Sequence, residues 1–166
     1  MVYIALGSNQ GNRFELLEKA VKKIGSKIGT IKGVSPVYET EAWGFEGNAF
    51  LNACLKLETF REALNVMDLL LSIENEFGRE RNSEKGYQSR PIDLDILMYQ
   101  NEVINHKRLQ IPHPRMELRQ FVLTPLSDIA SEIIHPKIKK SIGDLQLDCT
   151  DESPLSLYQK TLKFYV

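Results

Sequence analysis

Phe50-Leu51-Asn52-Ala53-Cys54-Leu55-Lys56-Leu57-Glu58 alternates in character over its whole length, and in an extended chain successive side chains point to opposite faces. Leu51, Ala53, Leu55 and Leu57 therefore share one dry face of a strand, and Phe50, Asn52, Cys54 and Lys56 share the other. Downstream the period changes. Thr59 and Glu62 form a capping box, and Leu64, Met67, Leu70, Leu71, Glu74 and Phe77 keep helical spacing until Gly78, a C-terminal stop. Glu74 thus lies near the end of a mostly apolar stripe. Upstream, Val2 to Leu6 is a short apolar run ended by Gly7-Ser8-Asn9, which reads as a buried strand. Asn12 with Glu15 then opens a helix carrying Leu17, Ala20, Val21, Ile24 and Ile28. Val34 to Thr40 reads as a second strand, and Glu41 to Asn48, which holds Trp43 ahead of two glycines, as a loop.

Past Gly78, Arg79 to Ser89 has almost no aliphatic content and reads as a mobile surface loop. Ile92 to Tyr99 is a strand, Gln100-Asn101-Glu102 its turn, and Val103 to Ile111 the expected hairpin partner. Pro112-His113-Pro114 is a rigid corner, and Met116 to Ala130 reads as helical in parts, interrupted at Pro125. After about Leu145 the pattern weakens and the tail stays unassigned. The order β-α-β-β-α-β predicts an α+β, ferredoxin-like sheet in a single domain, residues 1–166, with its two main helices on one face and a C-terminal hairpin and short helices appended. The opposite face would be open to a ligand.

With 166 residues, 42% of them hydrophobic and 26% charged, the chain can bury a core as one domain. A net charge of -1 argues against a protein that works by neutralising nucleic-acid backbone or anionic lipid. No apolar run reaches membrane-spanning length, the N-terminus has no signal-peptide pattern, and Cys54 and Cys149 lie far apart with no metal-binding spacing. Those features point to a cytoplasmic chain with no nucleic-acid or membrane partner, and a monomer acting on small molecules is the expectation.

The charge is balanced overall but not evenly placed. Arg79, Arg81, Arg90, Arg108, Arg115 and Arg119 are six of the eight arginines and fall within one quarter of the chain. Their planar forks suit phosphate oxygens. Inside the cluster, Arg90-Pro91-Ile92-Asp93-Leu94-Asp95-Ile96-Leu97 puts Asp93 and Asp95 on the same face of a strand while Leu94 and Ile96 enter the core. Two like charges about 7 Å apart call for a cation between them, and magnesium takes one or two carboxylates plus substrate phosphates. Gly7-Ser8-Asn9-Gln10-Gly11 lacks the Lys-Ser/Thr ending of a P-loop and reads as a strand-to-helix turn. His113, framed by prolines, could donate to a phosphate oxygen or simply hold a corner, while His106 and His135 read as surface residues. Phe50 and Asn52 share a face that suits stacking on a flat heterocycle while an amide reads its edge, with Phe121 as a second wall. Residue types alone leave open a kinase releasing ADP or a small-ligand module that does no chemistry.

Read together, Ala5-Leu6-Gly7-Ser8-Asn9, Tyr38-Glu39-Thr40, Phe50-Leu51-Asn52-Ala53, Glu74 with Gly78-Arg79-Glu80-Arg81, Arg90 with the Asp93 and Asp95 pair, and Pro112-His113-Pro114-Arg115-Met116 followed by Arg119 and Phe121 resemble the 6-hydroxymethyl-7,8-dihydropterin pyrophosphokinases of the folate pathway. The resemblance runs from residue 3 to about residue 145. It implies ATP as co-substrate and two Mg²⁺ ions held by Asp93 and Asp95, with Arg81, Arg90 and Asp95 as catalytic residues. It also implies a nucleotide side formed by Glu74, Arg81, Arg90, Ile96, Arg108, His113 and Arg119. The pterin would stack between Phe50 and Phe121 and be read by Asn52 and the backbone around Thr40 and Trp43. Gln88, where a glycine is usual, and Trp43, where an aliphatic residue is usual, depart from the family pattern.

Overall fold

A computed structural model describes residues 1–42, 47–78 and 90–164. Trp43, Arg79, Arg81, Gln88 and the expected Arg79 to Ser89 loop lie outside the described residues. Strand β1 (Val2–Ser8) leads into helix α1 (Arg13–Lys27). The Asn12 side chain accepts from the Glu15 amide at 3.3 Å, the cap expected from the sequence. Strand β4 (Phe50–Glu58) precedes helix α2 (Ala63–Glu76), and strand β5 (Asp93–Tyr99) completes the central sheet. Gly78, at φ +78, ends the α2 segment as expected.

The single second strand expected at Val34 to Thr40 is broken into β2 (Thr30–Val34) and β3 (Tyr38–Thr40). Pro36 has no amide to give to the ladder. Ser35 bridges the gap instead, its amide donating to the Cys54 carbonyl and its hydroxyl accepting from the Cys54 amide. The Thr59 capping box is not formed. Glu62 occupies the cap position of α2 without a side-chain hydrogen bond, and the Thr59 hydroxyl donates to the Ile28 carbonyl at 2.7 Å. Gly29 permits that approach, since a Cβ there would lie 2.2 Å from the Glu58 carbonyl oxygen.

All strand pairs are antiparallel, and the sheet runs β5-β1-β4-β3-β8, with β2 also on β4 and β8 (Leu155–Leu157) supplied by the tail. Leu51, Leu55 and Leu57 face α1 and α2 in one core, with Leu17, Ile24, Leu70 and Ile73. Each such fully buried aliphatic side chain contributes about 1.5–3 kcal/mol.

The opposite face is not open along its length. Helices α3 (Gln120–Ala130) and α4 (Ile142–Asp148) cover Tyr3, Cys54 and Met98 in a second core. Beyond them the face is uncovered around Ala5, Gly7, Asn52 and Asp93. Helix α3 runs without interruption through Pro125, which is buried against the sheet side; burial outweighs the one helical hydrogen bond a proline cannot make. The expected return strand is a separate two-stranded hairpin, β6 (Ile104–His106) with β7 (Leu109–Ile111), because both short strands pair with each other and not with β5. His135, expected at the surface, is 3% exposed, and its Nδ1 accepts from the Ile138 amide as an internal brace of the α3–α4 turn. Among the described residues no helix is long and apolar enough to cross a membrane.

Candidate active site

Three strands set the site. In register, Gly7 of β1 lies between Asn52 of β4 and Asp93 of β5, and Ala5 lies between Cys54 and Asp95. The small β1 residues leave the face recessed between an amide on one side and two carboxylates on the other. Leu97 is a β-bulge: Tyr3 pairs with Met98 and Ile4 with Ile96, so one residue of β5 has no counterpart on β1. Asp93, Asp95 and Leu97 thereby point to the recessed face, and Leu94 and Ile96 into the α1–α2 core.

A cavity of about 290 Å³ fills this recess. Thr40, Phe50, Asn52 and Phe121 line it together with Arg90, Asp93, Asp95, His113 and Arg119. Asn52 Nδ2 donates to Thr40 Oγ1 at 2.9 Å, which fixes the amide plane from the neighbouring strand. The Arg90 guanidinium sits 6.0 Å from the centre of the Phe50 ring, and that of Arg119 5.9 Å from Phe121. Both aromatic walls therefore carry a cation on a ring face. Arg90 Nη1 meets Asp93 Oδ2 at 3.0 Å.

A second cavity, about 460 Å³, adjoins the first and shares Asp95, His113 and Pro114 with it. Ile96, Lys107, Arg108 and Met67 line it. Ile96, nearly all buried, offers only a fringe of its side chain. Arg108 stands at the β6–β7 turn, paired with Asp68 of α2. His113 is placed by its own amide, which donates to the Leu97 carbonyl at 2.8 Å. Its Nε2 lies 3.9 Å from Asp95 Oδ2, beyond hydrogen-bonding reach. Burial, reinforced by the Arg119 guanidinium, lowers the His113 pKa, which favours a neutral imidazole at pH 7.

Glu74 lines neither cavity. It is 1% exposed, and its Oε1 accepts from the Leu94 amide at 2.7 Å. Strand β5 is the sheet edge, and Leu94 separates the two aspartates, so Glu74 pairs an edge amide between them. The sequence reading places Glu74 on the nucleotide side; in the structure its side chain instead meets the backbone of β5.

Two features went unread in the sequence. Arg115, given no site role in the sequence reading, lines the first cavity. The turn at Ser8 and Asn9 is a junction: Asn9 Oδ1 accepts from the Arg90 amide at 2.7 Å, Asn9 Nδ2 donates to the Asn48 carbonyl, and Ser8 Oγ donates to the Pro91 carbonyl. A small polar pair after a strand is a common turn signal, and only the long-range partners distinguish this one.

The Tyr38 hydroxyl donates to Asp128 Oδ2 at 2.8 Å and ties β3 to α3. Burial and this carboxylate raise the phenol pKa to about 12. A raised phenol pKa means stability that is full below pH 10 and lost as pH climbs through about 12. Between those values the Tm of the unaltered chain should fall more steeply than that of Tyr38→Phe, and parallel thermal-melt curves would contradict the assignment.

A phosphate-handling group-transfer enzyme is the class this arrangement defines: carboxylates, arginines and two adjoining cavities on a recessed sheet face. The chain matches the family described as 7,8-dihydro-6-hydroxymethylpterin-pyrophosphokinase (HPPK) over residues 3–131. It is 41% identical over 153 residues to a 2-amino-4-hydroxy-6-hydroxymethyldihydropteridine pyrophosphokinase of Aquifex aeolicus, covering 90% of this chain and 92% of that one. It is 40% identical over 140 residues to the protein of that name from Porphyromonas gingivalis, at 82% and 95% coverage. A solved Plasmodium falciparum HPPK-DHPS wild-type chain shares the fold with a TM-score of 0.73 at 16% identity, over 89% of this chain and 44% of the solved one. The chain belongs to the 7,8-dihydro-6-hydroxymethylpterin-pyrophosphokinase family and is an ATP-dependent diphosphotransferase of folate biosynthesis.

Proposed function

We propose that the chain moves the pyrophosphoryl group of ATP to the hydroxymethyl oxygen of 6-hydroxymethyl-7,8-dihydropterin through the residues that line the two cavities. The supporting observation is their common wall at Asp95, His113 and Pro114. The pterin lies between Phe50 and Phe121 with Asn52 and Thr40 on its edge, and the nucleotide lies toward Ile96 and Arg108. Arg90, Arg119 and His113 flank the boundary, where the hydroxymethyl oxygen attacks the β-phosphorus and AMP leaves. Arginine forks there offset phosphate charge and hold the reactants in line.

The donor chemistry at the wall fits magnesium. Two carboxylates project from one strand face with side-chain exposures of 21% and 41%, enough for both to reach a hard cation and its waters. Among the described residues no third His, Cys, Asp or Glu joins them, so the remaining ligands would be phosphate oxygens and water. Asp93 and Asp95 would hold two Mg²⁺ ions, which supply charge neutralisation on the phosphates.

Three broader readings belong with this one. The strand order β5-β1-β4 with β2 and β3 beside β4, together with α1 and α2 on one face, supports the ferredoxin-like plan for a single unit spanning residues 1–166. One chain suffices to line both cavities, which is compatible with action as a monomer. Unpaired Cys54 and Cys149 support a reducing, cytoplasmic setting.

The deciding experiment identifies the nucleotide released when the protein meets ATP, Mg²⁺ and the pterin. Pterin-dependent AMP is expected. ADP would mean phosphoryl transfer, and silence from a folded protein would mean a binding module.

A further inference from the structure

The C-terminal tail holds both walls of the pterin cavity. Its first hold is on α3. That helix starts at Gln120 with Arg119 as its cap residue, and Arg119 makes no side-chain cap bond. Two amides of the first turn are satisfied within the helix start, since Val122 and Leu123 both donate to the Arg119 carbonyl. The Gln120 amide is satisfied from outside: it donates to Asp151 Oδ2 at 2.9 Å, across 31 positions of sequence. The other carboxylate oxygen accepts from the Ser153 amide at 3.0 Å and the Ser153 hydroxyl at 2.5 Å. Asp151 is thus an N-cap delivered in trans, and a carboxylate at this end also meets the positive pole of the helix. Burial alone would raise the Asp151 pKa, but the bonds from Ser153 and Gln120 bring it below the usual range, so the group is ionised at neutral pH.

Its second hold is on β3. Strand β8 pairs with β3 so that Leu155 lies opposite Thr40 and Leu157 opposite Tyr38. The Tyr158 amide then donates to the Val37 carbonyl at 2.8 Å, and its ring stacks on Phe14 of α1. Phe121 and Arg119 stand on the capped turn of α3, and Thr40 stands on the clamped strand. The segment lies beyond residues 3–131, which carry the family match.

We infer that Asp151 is a positioning residue for the pterin: by capping α3 from the tail it fixes Phe121 against the recess while β8 fixes Thr40 on the opposite wall. This rests on the placement of the pterin proposed above. A ring wall displaced by even a fraction of an ångström weakens stacking on the pterin, while the ATP cavity around Ile96 and Arg108 does not touch the tail.

The test compares Asp151→Ala and Asp151→Asn with the unaltered chain, measuring KM for the pterin, KM for ATP, kcat and Tm. Asp151→Ala should raise the pterin KM roughly tenfold, with a clearly smaller rise in KM for ATP, since Arg119 flanks the phosphates from the same turn. Asp151→Asn, which retains an oxygen acceptor for the Gln120 amide, should recover most of the loss. A lowered Tm with unchanged pterin KM would reduce Asp151 to a structural cap and overturn the inference, as would an equal rise in both KM values. If Asp151→Ala does not fold, Asp151→Asn and Ser153→Ala decide: values equal to the unaltered chain in both overturn it, and a smaller rise confined to the pterin KM supports it. Failure of the unaltered chain to release pterin-dependent AMP overturns the functional reading itself, a result distinct from normal turnover with an unmoved KM.

Discussion

Replacing Asp95 with alanine should lower pterin-dependent AMP release by about 10³-fold or more. The same change should move Tm by less than about 2 °C, because a half-exposed side chain outside the core carries little stability. Asp95 is the carboxylate common to both cavities, and Asp93 is already engaged by Arg90 at 3.0 Å. Loss of Asp95 therefore takes the negative charge from the wall that the two proposed substrate sites share. Asp95→Asn keeps the shape and removes the charge, so it should fall nearly as far. Activity within tenfold of normal in both variants would move the phosphate-binding site elsewhere and undo the two-carboxylate argument.

Glu74→Ala acts on the same strand from behind and should cost about 2–4 kcal/mol of stability, from a new cavity plus an unpaired buried amide at Leu94. That is a large part of a typical total of about 5–15 kcal/mol. The buried carboxylate is the partner of the only backbone amide lying between Asp93 and Asp95. Glu74→Gln retains an oxygen acceptor and should lose less. Urea titration of the three proteins reads the order directly, and a Glu74→Ala midpoint equal to that of the unaltered chain would show that the Leu94 amide finds another acceptor.

The strands β1, β4 and β5, the cap at Asn12 and the stop at Gly78 were legible because each rests on a local rule: alternation, a side-chain acceptor three residues from its amide, a positive φ. What escaped was decided by contacts distant in sequence. Thr59 left its expected cap for the Ile28 carbonyl, and the β6–β7 segment paired with itself. Pro125 stayed in a helix because the second core outweighs one missing hydrogen bond. His135 went inside because Ile138 offered its ring nitrogen an amide. The site was more legible than the fold around it. Thr40, Phe50, Asn52, Asp93, Asp95, Arg90, His113, Arg119 and Phe121 all line one cavity. Thr40, Phe50, Asn52, Asp93 and Asp95 are legible by residue type and face, which a strand displays openly, and the other four by residue type alone. Asn9 and Asp151 were invisible for the opposite reason, since a polar residue in a turn says nothing about which remote amide it will meet.

The row Asn52, Gly7, Asp93 crosses three adjacent strands, and neighbouring strands stand about 4.8 Å apart. The sheet is therefore a ruler. The span from Asn52, at the heterocycle in the proposed reading, to Asp93, at the proposed metal and phosphate end, is two strand spacings, roughly 10 Å, and it is graduated by backbone hydrogen bonds alone. Loops can lengthen, shorten or change their composition without altering that span. A single residue inserted into β1 would turn Gly7 to the other face and rule the site out of existence, so the most length-sensitive part of this enzyme is a segment that touches neither substrate with a functional side chain.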